Sequence, residues 1–245
     1  MCWEGIEIDS KNEIREKIWR TFEKERVALF PGAHGRIPNF KGAEVAARFL
    51  STLPEWQRAK HMKANPDSPQ RPVRHLALSS GKTIYMAVPR LREKKCFIKL
   101  DPSRIPSEKF YEASSIKGAL RYGVSVHPKE INQIDLIVAG SVAVNKKGSR
   151  IGKGGGYSDL EYAIGREFGF VREDVVIATT VHPLQIVEED LPETDHDFRV
   201  DFIATSNELI STHREGGRPK GIIRDHLAEK KLSAIPILKE ILSQG

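Results

Sequence analysis

One glycine-rich run with two cations is the strongest candidate for chemistry in the sequence. It reads Gly148-Ser-Arg150-Ile-Gly152-Lys153-Gly154-Gly155-Gly156-Tyr157-Ser158-Asp159 and lies between a predicted strand and a predicted helix. Successive glycines let backbone N–H groups approach an anion closely, and the N-terminus of a following helix adds a positive dipole. Arg150 and Lys153 add formal positive charge. The run therefore predicts a cradle for a polyphosphate.

This run differs from two common phosphate-binding motifs. A Walker A loop needs Lys-Ser or Lys-Thr after its last glycine, and this run has neither. The G-x-G-x-x-G motif ends in a glycine, and Tyr157 occupies that position here. A structural interpretation stays open beside the functional one. In it the run is a flexible connection, Ser158 and Glu161 form a capping box, and Asp159 only interacts favourably with the helix dipole.

An acidic segment at residues 188–201 is the second candidate. Carboxylate oxygens suit magnesium, which usually takes one or two carboxylates together with substrate phosphates. Most of these carboxylates are expected to lie in a solvated loop. Asp197 and Asp201, however, flank the start of a predicted strand, at the edge of the sheet where a site would form.

The third candidate is a pair of cations. Lys11 and Arg15 are four residues apart in the first predicted helix, so they share one face, where like charges repel. An anion lying between them would relieve that repulsion, and we therefore expect both to point at one pocket. The alternative is a solvated face, because Glu13 and Glu16 lie on the same helix.

Hydrophobic periodicity and end signals predict the elements that position these residues. Helices are predicted from Ser10 with Glu13 as a capping box, over Lys41 to Leu50, from Ser68 to Gly81, and over Ser115 to Tyr122, Asp159 to Phe168 and Ile237 to Leu242. Strands are predicted over Thr83 to Val88, Val175 to Val181 and Val200 to Ala204, with one long or two short strands over Ile134 to Val144. This alternation predicts an α/β fold with a mostly parallel sheet, whose ligand sites lie beyond the carboxyl ends of the strands.

The length of 245 residues predicts a single domain over 1–245. Basic residues are concentrated in an extension at about 211–245, which includes Arg214, Arg218, Lys220 and Arg224. The chain has 39 Lys and Arg against 33 Asp and Glu, a formal net charge of +6, which favours polyanionic partners.

Cysteine content and hydropathy exclude other classes of protein. Two cysteines, Cys2 and Cys96, cannot build the disulfide framework of a small secreted scaffold, and without a Cys-x-x-Cys pair they make no zinc site. The longest apolar stretch, 134–144, is far shorter than the roughly 18 residues of a membrane span. A reduced, cytoplasmic setting is therefore expected.

Taken together, three motifs resemble those of the 5-formyltetrahydrofolate cyclo-ligase family. They are Lys11-x-x-x-Arg15, Gly148-x-Arg150-x-Gly152-Lys153-Gly-x-Gly156-Tyr157-x-Asp159 and His196-Asp197-x-x-Val200-Asp201. The chain is most similar to the methenyltetrahydrofolate synthetase domain-containing branch, through His34-Gly-Arg-Ile-Pro-Asn-Phe-Lys-Gly42, Gly152-Lys-Gly-x-Gly-Tyr-x-Asp-Leu-Glu-Tyr-Ala163 and Thr180-Val-His182. The resemblance runs from about Lys11 to the C-terminal helix.

The resemblance implies a fold shared with sugar-phosphate isomerases and coenzyme A transferases. It implies an ATP- and magnesium-dependent ligase of one-carbon metabolism, which closes 5-formyltetrahydrofolate, or a related pterin, to 5,10-methenyltetrahydrofolate. Such a protein mainly positions its substrates and neutralises charge. The implied roles are ATP binding by Lys11, Arg15, Gly152, Gly154, Gly155, Gly156 and Tyr157, catalysis by Lys153 and Arg150, and magnesium binding by Asp159 and Asp197.

The sequence departs from the family pattern at the folate end. The Glu-x-x-Thr phrase typical of true cyclo-ligases has no clear counterpart, and Lys63-Ala-Asn-Pro-Asp-Ser-Pro-Gln70 occupies that region. The second basic residue of the family's glycine loop appears as Gly155, and the second Tyr of its Tyr-Tyr-Asp appears as Ser158.

Two alternative functions stay open at this point. One is a related ATP-dependent enzyme with a substrate other than folate. The other is a nucleic-acid-associated protein, because the chain is basic and animal members of the branch carry a fused RNA-recognition module. RNA binding would weaken steeply with salt, whereas binding in an ATP pocket would saturate and be competed by nucleotide. The oligomeric state is not predicted.

Overall fold

The structure, a computed structural model, describes residues 3–243, and their side chains from Ser10 onward except that of Lys230. Cys2 lies outside the described residues. Cys96 is a buried free thiol, and burial raises its pKa to about 12. No helix within the described residues is long and apolar enough to cross a membrane.

The strands form one large sheet and one small sheet. In chain order they are β1 (His61–Ala64), β2 (Thr83–Ala87), β3 (Phe97–Leu100), β4 (Val124–Val126), β5 (Leu136–Ala139), β6 (Ala143–Asn145), β7 (Arg150–Ile151), β8 (Val176–Thr180), β9 (Ile186–Val187), β10 (Phe202–Ala204) and β11 (Leu209–Ser211). The large sheet has the order β11-β10-β8-β5-β1-β2-β3-β4, and the small one β7-β6-β9. The central strands from β10 to β2 are parallel, whereas β11, β3 and β4 are antiparallel to their inner neighbours. The predicted mostly parallel α/β fold is confirmed.

Helices flank these sheets. They are α1 (Trp3–Lys24), α2 (Ala43–Ser51), α3 (Pro54–Arg58), α4 (Arg71–Ser79), α5 (Phe110–Ala113), α6 (Ile116–Tyr122), α7 (Tyr157–Glu167), α8 (Glu229–Ala234) and α9 (Pro236–Ser243). Helix α2 packs against α4 and against the parallel strands β8 and β10. The main core fills this layer with buried side chains such as Leu50, Met62 and Ile137.

A second core brings α1 to the glycine run. Ile18, Trp19 and Phe22 of α1 are buried in one cluster with Val142 and Ile151, which flank or belong to the small sheet. Strand β7 leads directly into residues 152–156, so burying the apolar face of α1 also places its polar face beside that run. Apolar burial therefore determines which helix faces the candidate phosphate cradle.

The structure corrects three predicted helix starts. Helix α1 begins at Trp3, so Ser10 and Glu13 lie inside a continuous helix and do not cap it. A single 3₁₀ turn over Ser68–Gln70 precedes α4, which delays that helix to Arg71. Helix α7 begins at Tyr157, because its N-cap is a glycine with positive φ rather than a serine.

The stretch 134–144 forms two strands, as one of the predicted alternatives allowed. Strand β5 lies in the large sheet and β6 in the small one, with Gly140 and Ser141 between them. The break at these residues lets the chain leave one sheet and enter the other.

The basic C-terminal segment packs on the core. Ile235, Ile237 and Leu238 are fully buried in the main cluster. Arg214 and Arg218 both bind the carboxylate of Asp201, at 2.9 and 2.5 Å. Two of the four basic residues noted in this segment therefore already have an anionic partner. The single-domain assignment stays a prediction.

Candidate functional site

The candidate site lies at the carboxyl ends of the parallel strands β1 and β5, where the fold predicts it. Residues 152–156, called the glycine loop here, separate two cavities. The first, called the α1 cavity, has a volume of about 480 Å³ and is bounded by α1, the glycine loop and the C-terminal segment. The second, called the β1 cavity, has a volume of about 330 Å³ and is bounded by the ends of β1 and β2 and the start of α7. Arg150, Gly152, Gly156 and Asp159 border both cavities.

Two glycines of the loop have backbone conformations that disfavour other residues. Gly154 has φ of 99° and Gly156 has φ of 62°. Gly156 is also the N-cap of α7, so the helix begins directly from the loop. The N-terminus of α7 and the loop backbone thus lie where both cavities meet, as an anion cradle requires.

Lys11 and Arg15 both line the α1 cavity, but different partners hold them. The Lys11 ammonium forms an ion pair with Asp197. Arg15 Nε donates to the carbonyl of Gly152 at 2.7 Å, and its Nη1 donates to Asn12 Oδ1 at 2.5 Å. Burial lowers the pKa of Arg15, and the nearby carboxylate of Asp197 partly offsets this effect. The predicted repulsion between the two cations is therefore reduced by a carboxylate and a carbonyl.

The two predicted magnesium ligands border the same α1 cavity. Asp159 Oδ1 accepts from Arg150 Nη2 at 2.7 Å. Asp197 Oδ2 accepts from Lys11 and from the backbone N–H and hydroxyl of Thr194, at 2.7 and 2.8 Å for the latter two. Burial raises the pKa of Asp197, but the Lys11 ammonium and the Thr194 hydrogen bonds outweigh it, so the net pKa is below its ordinary value.

The hydrogen bonds of the described residues involve only one oxygen of each of these carboxylates. Among the described residues, no hydrogen bond reaches Asp159 Oδ2 or Asp197 Oδ1. Those residues also contain no group of three or more His, Cys, Asp or Glu that could hold a metal ion. Two carboxylates that line one cavity fit magnesium that takes its other ligands from phosphates and water. The magnesium site stays a prediction.

Lys153 lies on the other side of the loop from Lys11 and Arg15. Its side chain is about half exposed and lines the β1 cavity, and its ammonium pairs with Asp67 Oδ1 at 2.6 Å. Asp67 follows strand β1, in the region that departs from the family pattern. The glycine-loop motif therefore did not predict that Lys153 pairs with Asp67.

Arg150 is buried beneath the loop. Its guanidinium stacks over the Phe198 ring with 4.1 Å between Cζ and the ring centroid, and it donates to the carbonyl of Gly140 at 3.3 Å. Arg150 therefore joins the end of β5 to Asp159 on α7. It supports the site from below and borders both cavities.

The capping box at Ser158 and Glu161, which the alternative structural interpretation contained, does not form. Ser158 Oγ donates to Asn65 Oδ1 at 3.1 Å, and Asn65 Nδ2 donates to Glu161 Oε2 at 3.1 Å. Glu161 also forms a buried ion pair with Lys63. Both α7 side chains turn toward β1 because Gly156 already supplies the N-cap.

Sequence reasoning missed the residues that fix this part of the site. Asn65 accepts from the N–H of Gly140 at 3.1 Å and so links the ends of β1 and β5. The buried guanidinium of Arg74 donates to the backbone carbonyls of Asn65 and Asp67. Burial lowers the pKa of Arg74 to about 9, and Asp67 partly offsets this effect. The crowding of Asn65, Asp67 and Gln70 in one turn is the only signal in the sequence, and it is equally typical of an ordinary turn.

The C-terminal segment contributes two ionisable residues to the α1 cavity that the sequence reasoning missed. They are Lys231 and His226, and His226 contacts His196 at 3.3 Å between their Nδ1 atoms. Neither belongs to a motif.

Comparison with known proteins identifies the family. A model of the 5-formyltetrahydrofolate cyclo-ligase family matches residues 7–206. The chain belongs to the 5-formyltetrahydrofolate cyclo-ligase family. It is 40% identical over 242 residues to the methenyltetrahydrofolate synthase domain-containing protein of Mus musculus, and 39% identical over 239 residues to that of Bos taurus. These alignments cover 97% and 96% of this chain, and 64% and 62% of the relatives. The resemblance to this branch of the cyclo-ligase family is thereby confirmed.

A solved structure supports the fold. The NMR structure of 5,10-methenyltetrahydrofolate synthetase from Aquifex aeolicus matches with a TM-score of 0.50 and 19% identity, over 88% of this chain and 97% of that chain. The chain spans less than two thirds of the length of its mouse and bovine relatives.

Proposed function

We propose that this chain is an ATP- and magnesium-dependent enzyme that closes 5-formyltetrahydrofolate, or a related pterin, to 5,10-methenyltetrahydrofolate, releasing ADP and phosphate. Membership of the cyclo-ligase family supports the reaction class. The single observation that carries the proposal is the glycine loop, which forms a common wall between a cavity lined by cations and a second cavity at the strand ends.

ATP fits the α1 cavity by charge. Lys11, Arg15, Arg150 and Lys231 contribute four cationic side chains to its lining, against the two carboxylates of Asp159 and Asp197. The loop N–H groups and the N-terminus of α7 add further positive potential. The γ-phosphate would then lie at the glycine loop, next to the other cavity.

The pterin fits the β1 cavity by position. Lys153 and Asp67 offer one cation and one carboxylate there, and Val88, Pro89 and Ile116 supply apolar surface. A formyl group held in this cavity approaches the loop from the side opposite the α1 cavity. The formyl oxygen and the γ-phosphate would therefore make contact at the border that the two cavities share, which Gly152, Gly156 and Asp159 line.

The reaction then needs mainly positioning and charge neutralisation. The formyl oxygen attacks the γ-phosphorus, and ADP leaves with the bridging oxygen. N10 next bonds to the formyl carbon and loses its proton, and phosphate leaves with the former formyl oxygen. Lys153, at the edge of the β1 cavity, neutralises charge on the transferred phosphoryl group, while Lys11 and Arg15 hold the remaining phosphates. Magnesium, when bound by Asp159 and Asp197, supplies further positive charge to the phosphate oxygens.

The test is an assay of the purified chain with ATP, magnesium and a panel of formylated and unformylated folates. Methenyl product and ADP are measured in the same reaction. We expect equal amounts of both with 5-formyltetrahydrofolate and neither with the unformylated folates. The absence of both products with every folate would contradict the proposal.

A second candidate, an ATP-dependent enzyme with a substrate other than folate, is favoured by one observation. The folate-contacting phrase is replaced by Lys63 to Gln70, and Asp67 from that region pairs with Lys153 in the cavity assigned to the pterin. ADP formation without methenyl product in the same assay would support this candidate.

A further inference from the structure

The C-terminal segment contributes to the candidate ATP site although it lies beyond the residues that the family model matches. That match ends at residue 206, whereas Lys231 lies on α8 and lines the α1 cavity. No motif identified this lysine. Its role therefore has to be argued from position and charge.

Lys231 approaches the glycine loop very closely. A Cβ built on Gly156 would lie only 2.8 Å from Lys231 Nζ, so the ammonium lies directly beside the N-cap of α7. The same ammonium lies 5.9 Å from the centroid of the Tyr157 ring. A cation at this place faces the backbone that would cradle phosphate.

The ammonium of Lys231 is poorly compensated by the protein. Within the described part of the chain, it forms neither a hydrogen bond nor an ion pair. Burial lowers the pKa of Lys231, and the more distant carboxylate of Asp159 offsets only part of this effect. A partly buried cation without a paired anion is unfavourable, and a bound phosphate would remove that cost.

The packing of the segment fixes where Lys231 lies. Directly after α8, Ile235, Ile237 and Leu238 are fully buried in the main core. On α9, Glu240 pairs with His127 at 3.2 Å and with Lys129 at 3.3 Å. The packing of the C-terminal segment on the core therefore holds Lys231 at the cavity.

We propose that Lys231 is a phosphate-binding residue of the ATP site, supplied by the C-terminal segment together with the backbone of Gly156. The inference rests on the proposed function, because it takes the anion in the α1 cavity to be a nucleoside triphosphate. It assigns part of the basic extension to nucleotide binding instead of to a nucleic acid.

The test compares Lys231→Met with Lys239→Met in the full chain. Both remove one charge from the same segment, but Lys239 is exposed on α9 and lines neither cavity. ATP binding is measured by titration calorimetry with magnesium and without folate. We expect Lys231→Met to raise the Kd for ATP at least about tenfold, the effect of losing a charge-assisted hydrogen bond, while Lys239→Met leaves it unchanged.

A third variant and the affinity of the wild-type chain distinguish failure of this inference from failure of the proposed function. Lys231→Arg keeps the charge and should retain more affinity than Lys231→Met; equal losses in both would overturn the inference. A wild-type chain that binds ATP as tightly as Lys231→Met would also overturn it, while leaving the proposed function in place. A wild-type chain that binds no ATP would instead contradict the proposed function and the inference together.

Discussion

At the level of single residues, three cations of the site are held by partners within the protein. Lys11 pairs with Asp197, Arg15 holds the carbonyl of Gly152, and Lys153 pairs with Asp67. Phosphate oxygens entering the site would join these partners or displace them. The exposed pair is the easiest to displace, because surface ion pairs contribute only about 0–1 kcal/mol.

Lys153 is expected to matter for turnover and hardly at all for folding. Lys153→Ala removes an exposed ion pair, so the free energy of unfolding should fall by less than about 1 kcal/mol. Loss of one preorganised cation at the transferred phosphoryl group should lower ATP-dependent turnover about a hundredfold or more. Melting temperature and turnover are measured on the same purified variant.

The control for Lys153 is Asp67→Asn, which breaks the ion pair and leaves the ammonium in place. If Lys153 neutralises charge on the transferred phosphoryl group, Asp67→Asn should keep far more ATP-dependent turnover than Lys153→Ala when both are assayed with the same substrate. Unchanged turnover in Lys153→Ala would show that the lysine is not part of the phosphate site.

A pH prediction follows from the ion pair between Lys11 and Asp197, whose side chains are only 11% and 13% exposed. The pKa of Asp197 is below its ordinary value of 3.8 in the folded chain. The stabilisation that the Asp197 carboxylate provides is therefore complete above the pKa that this group has in the unfolded chain. It is lost as the pH falls through the lower pKa that the group has in the folded chain. Lys11→Met should destabilise the chain by roughly 3 kcal/mol at pH 7, and this difference should shrink as the pH falls below 4.

Urea unfolding of the wild type and Lys11→Met at a series of pH values measures that difference. Lys17→Met is the matched control, because Lys17 is on the same helix and its pair with Glu189 is exposed. A difference that stays constant from pH 7 to the lowest pH at which both proteins fold would contradict the assigned pair.

At the level of elements, the sequence predicts most helices of the described residues but fewer than half of their strands, and it does not predict how the glycine loop starts α7. Amphipathic spacing located α2 and α9 to within about two residues. The Ser-x-x-Glu pattern at Ser158 allowed a capping box, but Ser158 binds Asn65, which follows β1, and Glu161 pairs with Lys63 on β1. A short sequence pattern cannot reveal a hydrogen-bonding or ionic partner that is distant in the sequence and is brought close only by the tertiary fold.

Replacement of Gly156 is expected to be unfavourable for two separable reasons. Its φ of 62° disfavours any Cβ, and a Cβ there would lie 2.8 Å from the ammonium of Lys231, which would have to shift. Gly156→Ala should lose about 1 kcal/mol of unfolding free energy from the backbone conformation, and should also bind ATP more weakly because Lys231 is displaced.

Gly169→Ala, just beyond the other end of α7, is the matched control for that variant. Gly169 has φ of 74°, but a Cβ there would meet nothing within 4 Å. It should lose a similar amount of stability in urea unfolding and keep wild-type ATP affinity in calorimetry. Equal ATP affinities in the two alanine variants would show that the close approach to Lys231 has no functional effect.

At the level of the whole molecule, the site is assembled from segments that are far apart in the sequence. Its motifs predicted that α1, the glycine loop and Asp197 belong together, and the structure brings all three to the α1 cavity. The contribution of α8 could not be predicted, because Lys231 has no motif and its position depends on how α9 docks. Apolar packing in the C-terminal segment therefore determines where the Lys231 ammonium lies in the site.

The fold thus makes the C-terminal segment an integral part of the core, and Leu238→Ala tests this. Leu238 is fully buried in the main cluster, so its truncation should cost about 2–5 kcal/mol of unfolding free energy, a large share of the total for a typical domain. Lys239→Ala, at the exposed neighbouring position, should stay within about 0.5 kcal/mol of the wild type. Urea unfolding followed by far-UV circular dichroism and by ATP binding should show one shared transition, moved to lower urea only in Leu238→Ala. If the segment were a separate appendage, Leu238→Ala would instead leave the main transition in place, since the sheet and the glycine loop would then fold without it.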